Sequence, residues 1–425
     1  MKSKATLSSF QMNFFNKVAS VFLTKGILFF FSLGASILSA RILGPAGQGM
    51  VGMALTVGMI GSQFMNLGIH SVNSYILARD KSKLGPLMGN TLALACAAAL
   101  ISICIYWFLR LFSIYVNLQG SMLVLACMYI PIGLYLMLQQ NLLVGIGAVG
   151  VYNLLEIFNG VLYFGLLLLL LLLDTAHPTR VLFSRILAVL FSILLGFRYL
   201  VKKAERPIMP DGRLFKRCLP FSIKSYIACL CSYLVLRSDV LMVNYLLGDE
   251  QTGLYTTAVS LSDVLTLLSA SVGTLLFPAA AAITSDMQRT NFMQRTLRVL
   301  AILMGILTLS AALLAQFVIE PLYGAAYGPS SQVFVILMPG VFFMALQSTL
   351  SNYFAAKNMW TGNIFTPILG LLLNLGANAL WIPHWGINGA AAASVVAYTV
   401  MFLIMFIRFL RDNRRIMGED VWGEP

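Results

Sequence analysis

The sequence predicts an all-α polytopic membrane protein, with twelve transmembrane helices arranged as two six-helix lobes. Three observations carry this prediction. Of the 425 residues, 59% are hydrophobic and 10% are charged. Apolar runs of membrane-spanning length recur along the chain, and one hairpin sequence of the first half has an echo in the second. A chain of this composition has too little polar surface to cover a water-soluble globule, so much of its surface must face lipid.

Twelve apolar segments are long enough to cross a bilayer, which takes about 20 predominantly apolar residues. They are centred near residues 30, 61, 98, 132, 162, 190, 232, 268, 308, 343, 371 and 399. Basic residues concentrate in alternate connections, and the other connections carry only Arg41, Arg110 and Arg180. The positive-inside rule therefore predicts that both termini are cytoplasmic. The net charge of +13 follows from this bias, and because the basic residues form no continuous patch, we expect no nucleic-acid partner.

The longest polar segment divides the chain into two units. We predict an N-lobe over residues 1–200 with helices 1 to 6, a cytoplasmic linker over 201–218, and a C-lobe over 219–425 with helices 7 to 12. The outward-facing hairpin ARILGPAGQGMVGMALT has its echo in NYLLGDEQTGLYTTAVS, in which Gly44 aligns with Gly248 and Gly49 with Gly253. Two units of equal orientation predict a pseudo-twofold axis along the membrane normal and a V-shaped central cavity.

Charged residues inside the predicted helices indicate where function lies, because an ionised side chain at the bilayer centre costs at least about 2.5 kcal/mol. Helix 7 carries Lys224, Arg237 and Asp239. Arg237 and Asp239 point to nearly opposite sides of this helix, so we expect one to face the cavity and the other to contact a neighbouring helix. Asp263 on helix 8 is a candidate partner for Arg237.

The first half carries polar stripes at helical spacing. They comprise Lys25, Ser32, Ser36 and Ser39 on helix 1, Gln63, Asn66, His70 and Asn73 on helix 2, and Tyr152, Glu156, Asn159 and Tyr163 on helix 5. Such stripes fit a wet cavity lined by helices 1, 2, 5, 7 and 8. The alternative for Lys25, Lys224 and Glu156 is a packing or snorkelling role near the helix ends.

Two stretches of the chain follow each other in the order SARILGPAGQGMVGMALT, then RSDVLMVNYLLGDEQTGLYTTAVSLSDVLTLLSASVGTLLFPAAA. Together they resemble the polysaccharide-exporter branch of the multidrug/oligosaccharidyl-lipid/polysaccharide superfamily. This branch includes the O-antigen and capsule flippases. The resemblance implies a multi-pass transporter of the bacterial inner (plasma) membrane. It would translocate undecaprenyl-diphosphate-linked oligosaccharide by alternating access for surface polysaccharide biosynthesis. Arg41, Arg237 and Asp239 match positions that recur in this branch.

On this basis we expect four cations to bind the substrate, because Arg and Lys offset the desolvation of a diphosphate: Lys25, Arg41, Lys224 and Arg237. For Arg41, at the outer mouth, the alternative is anchoring at the headgroups. Three acids are candidates for coupling transport to protons or sodium: Asp239, Asp263 and Glu156. We expect no catalytic residue, no metal site and no cofactor. The expected partners are the lipid-linked oligosaccharide, membrane lipids and other membrane proteins of polysaccharide assembly.

Two alternatives compete with this interpretation. A drug or cation antiporter of the same superfamily would favour a cavity dominated by acids. The predicted helices instead carry four cations, Arg185 among them, and three acids, a balance that favours an anionic substrate. A membrane polysaccharide polymerase or glycosyltransferase would need a sizeable extramembrane loop with catalytic acids. The outer loops are short, and the linker has only Glu205 and Asp211 as acids, so we expect that the protein is not an enzyme.

Overall fold

The computed structural model describes the backbone of residues 2–111, 118, 120–283, 285–357, 359 and 361–421. It describes the side chains of the same residues except 2–25, 221, 224–225, 267–282 and 417–421. These residues form helices and turns without any strand, which confirms the all-α prediction. The helices are α1 (Lys2–Met65), α2 (Ile69–Arg79), α3 (Leu84–Leu111), α4 (Ser121–Gly145), α5 (Val149–Leu172), α6 (Pro178–Lys203), α7 (Gly212–Leu247), α8 (Asp249–Ala282), α9 (Asp286–Tyr323), α10 (Gly328–Ala356) and α11 (Thr361–Val421).

The two longest helices, α1 and α11, are hairpins that each cross the membrane twice. The helical geometry is interrupted at Gly44, with φ 66°, and at Gly386, with φ 57°, a region that glycine adopts without the steric penalty of a Cβ. Within the α11 hairpin, the Asn374 amide on one side of the turn at Gly386 donates to the Ser394 hydroxyl on the other side over 3.3 Å. The halves of α1 correspond to predicted helices 1 and 2, and those of α11 to helices 11 and 12.

The crossings agree with the twelve that the sequence predicts. Nine stretches among the described residues are long and apolar enough to span a membrane, and they include both hairpins. Counting each hairpin twice and adding the 34-residue α8 gives twelve. Helices α3 to α10 correspond in order to predicted helices 3 to 10.

Each half of the chain has its own apolar core. In the first half, buried side chains of α1, α4, α5 and α6 pack together, with Ala126 and Leu182 fully buried. In the second half, a larger cluster joins α7 to α11 around Tyr255 and Phe354. At the predicted cytoplasmic end, Lys357 Nζ lies 2.7 Å from Asp412 Oδ2, which ties the end of α10 to α11.

On the predicted outer side, the two halves meet backbone to backbone. A Cβ built on Gly49 would overlap the carbonyl oxygen of Asp249, and one built on Gly253 would overlap that of Pro45. The contact is reciprocal, because Pro45 and Gly49 occupy the same places in the first hairpin as Asp249 and Gly253 in the second. Gly248, with φ 84°, likewise matches Gly44. Glycine is required at this crossing because any side chain would separate the helices.

Candidate functional site

A cavity of about 360 Å³ lies between the two halves of the chain. Its described lining comes from both halves of α1, from α5 and α6, and from α8 and α9. The polar side chains that line it are Ser32, Ser36, Ser39, Gln48, Tyr163, Arg185, Thr256, Ser260, Asp263 and Tyr323. Polar groups converge here from both halves, as expected of a binding site within a membrane protein.

The serine stripe of α1 forms one wall of this cavity, as its spacing predicts. Ser32, Ser36 and Ser39 follow each other at intervals of four and three residues, which places them on one helix face. The Ser39 hydroxyl donates to Gln48 Oε1 over 2.8 Å. The hydroxyl of Tyr323 on α9 donates to the Ser36 hydroxyl over 3.1 Å. This wall therefore holds neutral hydroxyl and amide groups already linked to both halves of the chain.

Arg185 on α6 is held at the cavity by two residues of α5. Its Nη1 donates to Asn159 Oδ1 over 3.0 Å, and its guanidinium lies over the ring of Tyr163, 5.1 Å from the ring centroid. Asn159 and Tyr163 are four residues apart, so one face of α5 presents both. Among the side chains that the structure describes, no carboxylate lies within ion-pair distance of Arg185. Its remaining N–H donors are therefore available to a ligand.

Arg237 on α7 does not line the cavity, but it pairs with an acid that does, Asp263. Arg237 Nη2 lies 2.6 Å from Asp263 Oδ2, and the two side chains are 25% and 43% exposed. This confirms the expected partnership of Asp263 with Arg237. Because Asp263 is paired with Arg237, Arg185 is the charged side chain of the described lining that has no partner of opposite charge among the described side chains.

Asp239 lies away from the cavity, in the interior of the second half, where it is 2% exposed. Its carboxylate accepts from the hydroxyls of Tyr255 over 2.6 Å and Ser394 over 3.1 Å. The backbone N–H of Val240 adds a third bond at 2.8 Å. Arg237 and Asp239 therefore have different partners, as their helix positions predict, but neither lines the cavity: Arg237 pairs with a residue of the cavity wall, and Asp239 contacts neighbouring helices.

The hydrogen-bond network of Asp239 extends into α11. Asn374 donates to Ser394, and Asn378 Nδ2 donates to Asn374 Oδ1 over 2.9 Å. The side-chain oxygen of Asn378 is buried and accepts no hydrogen bond from any residue that the structure describes. The network thus gathers a carboxylate and several neutral oxygens out of water, with one oxygen unsatisfied. Oxygen-rich sites of this kind suit a proton or a hard cation.

Other predicted site residues lie elsewhere. Glu156 accepts from Gln140 Nε2 over 2.6 Å on the neighbouring α4 and does not line the cavity. Arg41 also lies outside the cavity. Its Nε donates to the carbonyl of Leu322 over 2.7 Å and its Nη2 to that of Pro321 over 2.5 Å. Because these carbonyls belong to the last turn of α9, the cation caps that helix and joins the two halves. The side chains of Lys25 and Lys224 lie outside the described residues.

The predicted set of lining helices needs correction. The second half of α1, corresponding to helix 2, lines the cavity through its first turns around Gly52. Its predicted polar stripe lies elsewhere, with Asn66 bonded to His70 and Asn73 to Thr91. Among the described residues α7 supplies no lining residue, whereas α6 and α9 do. Arg185 was predicted as an intramembrane cation but not as a site residue, because its proximity to the α5 stripe becomes visible only in three dimensions.

The described residues form a multi-pass membrane protein of two halves with a polar cavity between them. Residues 38–332 match the family described as polysaccharide biosynthesis protein, and the chain belongs to that family. It is also 27% identical over 242 residues to an uncharacterized membrane protein of Methanocaldococcus jannaschii, a match that covers 54% of this chain and 47% of that relative. The match thus spans about half the length of the relative.

Solved structures share the fold at low sequence identity. An inward-facing multidrug resistance MATE family transporter of the MOP superfamily has a TM-score of 0.73 at 15% identity, covering 93% of this chain and 96% of that one. The lipid II flippase MurJ in an inward closed conformation has a TM-score of 0.72 at 14% identity, with 93% and 90% covered. An outward-facing MATE family transporter has a TM-score of 0.64 at 14% identity, with 93% and 94% covered.

Proposed function

We propose that this protein is a flippase that moves undecaprenyl-diphosphate-linked oligosaccharide across the bacterial inner membrane. The movement would run from the cytoplasmic to the outer leaflet and serve surface polysaccharides such as O-antigen or capsule. Membership of the polysaccharide biosynthesis family supports this class of substrate. The observation that carries the proposal is Arg185, which faces the cavity between the halves without an acid partner among the described side chains.

The charge of the cavity favours an anionic group. A diphosphate that leaves the headgroup layer loses hydration, and charge-assisted hydrogen bonds from a guanidinium compensate for that loss. Arg185 is already oriented by Asn159 and Tyr163, so binding an anion costs little side-chain entropy. Arg237 would join it if the anion displaced Asp263. Lys25 and Lys224 stay predicted ligands.

The size of the cavity fits alternating access. A volume of about 360 Å³ lies near the lower limit of small-ligand pockets, which suits a headgroup better than a long oligosaccharide. A longer oligosaccharide requires a state in which the halves separate. The reciprocal contact of Gly49 and Gly253 and the Arg41 bonds to α9 close the predicted outer side, and these contacts would break in an outward-open state.

We further propose that Asp239 couples transport to a proton or sodium ion. Its buried carboxylate and the unsatisfied Asn378 oxygen belong to one hydrogen-bond network. A cation that binds to these oxygens would change the packing of α7 against α11. Asp263 is a second candidate, since displacement of Arg237 would free its carboxylate. Glu156 has the weakest support, because it is bonded to Gln140 outside the cavity.

A drug or cation antiporter is the second candidate function. The MATE family transporter and the lipid II flippase resemble this chain almost equally, so the fold does not decide between them. Asp263 gives the cavity an acid that a cationic drug would contact. The two functions predict opposite roles for Arg185: it attracts a diphosphate but repels a cation.

A deletion strain tests the proposal. If the protein is the flippase, cells that lack it accumulate lipid-linked oligosaccharide on the cytoplasmic leaflet and lose surface polysaccharide. Complementation with Arg185→Gln should fail. Arg180→Gln is the matched control, because Arg180 lies on the same helix but outside the cavity, bonded to the carbonyl of Thr175. Normal surface polysaccharide with Arg185→Gln at normal membrane levels would contradict the proposal, and resistance to cationic drugs lost on deletion would favour the antiporter.

A further inference from the structure

A second basic site lies at the other end of the molecule, where the linker between α6 and α7 meets the start of α3. A surface pocket of about 620 Å³ is lined by Pro86, Arg206, Pro207, Met209, Pro210, Asp211, Gly212, Arg213 and Lys216. It is separate from the cavity between the halves and shares no lining residue with it. We propose that this pocket binds the phosphate headgroup of an anionic membrane lipid.

The backbone of the pocket is fixed. The Asn90 amide donates to the carbonyl of Asp211 over 3.1 Å and accepts from its N–H over 2.8 Å. Gly85 and Gly89 of α3 leave no room for a Cβ beside the backbone of Arg206 and Met209. The linker is therefore seated on α3 by backbone contacts, and its shape does not depend on the exposed cations. A preformed pocket binds its ligand at a lower entropic cost than a flexible loop.

The charges of the pocket favour an anion. The lining has three basic side chains, Arg206, Arg213 and Lys216, and one acidic side chain, Asp211. None of the three cations has an ion-pair partner among the described side chains. The Asp211 carboxylate is already engaged, since its Oδ1 accepts from the N–H of Leu214 and caps α7. The first N–H groups of α7 also lie at this point, and a helix N-terminus favours a phosphate.

The nearest further acid does not neutralise the pocket. Asp80 precedes the short 3₁₀ turn Lys81–Lys83 and accepts from the Ser82 hydroxyl over 2.7 Å. That hydrogen bond, together with the charges of Lys83 and Arg206, lowers the pKa of the Asp80 carboxyl below its ordinary value. Asp80 therefore stays ionised at neutral pH, but it lies beyond ion-pair distance of Arg206, and Lys81 and Lys83 beside it add further positive charge.

Two features favour a lipid over a phosphate compound dissolved in water. The pocket lies where α3 begins, α6 ends and α7 begins, and because membrane helices end near the headgroups, we place it at headgroup level on the predicted cytoplasmic side. Met209 is 69% exposed beside the cations, with Pro86, Pro207 and Pro210 around it. An apolar rim next to a basic centre matches the boundary between a lipid headgroup and its acyl chains.

The experiment measures lipid binding to the full-length protein in detergent by native mass spectrometry. The probes are dihexanoyl phosphatidylglycerol, dihexanoyl phosphatidylcholine and inorganic phosphate. We expect the anionic lipid to bind more tightly than the zwitterionic one. The variant Arg213→Gln/Lys216→Gln should weaken this binding, since each basic residue near an anionic membrane surface contributes about a fivefold gain in affinity.

The matched control is Arg295→Gln/Arg298→Gln, which removes two exposed cations of α9 on the same predicted side but outside the pocket. The affinity of this variant for the anionic lipid should stay within about twofold of that of the unmodified protein. This change is smaller than the roughly fivefold loss of affinity expected from removing one pocket charge. Equal affinity for the two lipids, or equal weakening by both double variants, would overturn the proposal. Tighter binding of inorganic phosphate than of phosphatidylglycerol would overturn the assignment to a lipid. Because no transport is measured, these outcomes are independent of the flippase proposal.

Discussion

The reciprocal glycine contact gives the sharpest mechanical prediction. Replacing Gly49 with alanine places a methyl group against the carbonyl oxygen of Asp249, and Gly253→Ala does the same at Pro45. To accept either methyl group, α1 and α8 must move apart by at least about 1 Å. Overpacking of this kind costs about 1 to 3 kcal/mol. Since the cost falls only on the state in which the outer side is closed, we expect the equilibrium to shift toward the outward-open state by about five- to 150-fold.

Spin labels at Ala46→Cys and Glu250→Cys, on a background without native cysteines, report this opening. Both positions are exposed near the contact, one on each hairpin. In Gly49→Ala the distribution of label distances should gain a longer component. Gly49→Ala/Gly253→Ala should add much less than the sum of the single effects, because one separation of the helices relieves both overlaps.

Gly165→Ala and Gly376→Ala are the matched controls, since a Cβ at either position meets no atom within 4 Å. They should leave the label distances unchanged. An unaltered distance distribution in Gly49→Ala, at a normal melting temperature, would refute the claim that this contact closes the outer side.

Three further predictions follow from the charged contacts. Neutralising either Arg237 or Asp263 should lower the free energy of unfolding by about 1 kcal/mol, because the pair is partly exposed. Neutralising both should regain part of this loss, because neither charge is then left without its partner. Additive losses in a thermal double-mutant cycle would contradict this prediction. Asp239→Asn should abolish the sodium or pH dependence of flipping in proteoliposomes while leaving anion binding intact; an unchanged ion response would exclude Asp239 as the carrier. Lys357→Met should lower the free energy of unfolding by about 3 kcal/mol, since it leaves the part-buried carboxylate of Asp412 with the Tyr353 hydroxyl as its remaining partner. A loss below about 1 kcal/mol on denaturation would show that solvent screens the pair.

Much of the fold follows from one-dimensional patterns. The apolar runs give the crossings because the length of a spanning helix is set by the thickness of the bilayer. The aligned Gly44 and Gly248 both adopt positive φ, and the aligned Gly49 and Gly253 contact each other's hairpins. These positions are predictable because only glycine tolerates the turn and the close approach. The serine stripe of α1 also follows from its spacing alone.

The set of site residues was less predictable. Helical spacing tells which side chains share a face, but the rotation of each helix in the bundle decides what that face meets. Glu156 lies on the same α5 stripe as Asn159 and Tyr163, yet it faces α4 while they hold Arg185. Arg41 was expected to bind substrate, but its guanidinium reaches carbonyl groups of α9 that lie 280 residues away in sequence. Such partners leave no local signal in the chain.

The most direct test of the account is flipping of a fluorescent undecaprenyl-diphosphate oligosaccharide in proteoliposomes by Arg185→Gln. Loss of the guanidinium removes hydrogen bonds to a charged group, each contributing about 1.5 to 3 kcal/mol, so the rate should fall at least about tenfold. Arg185→Lys should restore only part of it, because an ammonium neither stacks on Tyr163 nor binds two oxygens in a plane. Arg180→Gln should flip at the unmodified rate. Equal rates for Arg185→Gln and Arg180→Gln, both correctly inserted, would contradict the assignment of the cavity as the diphosphate site.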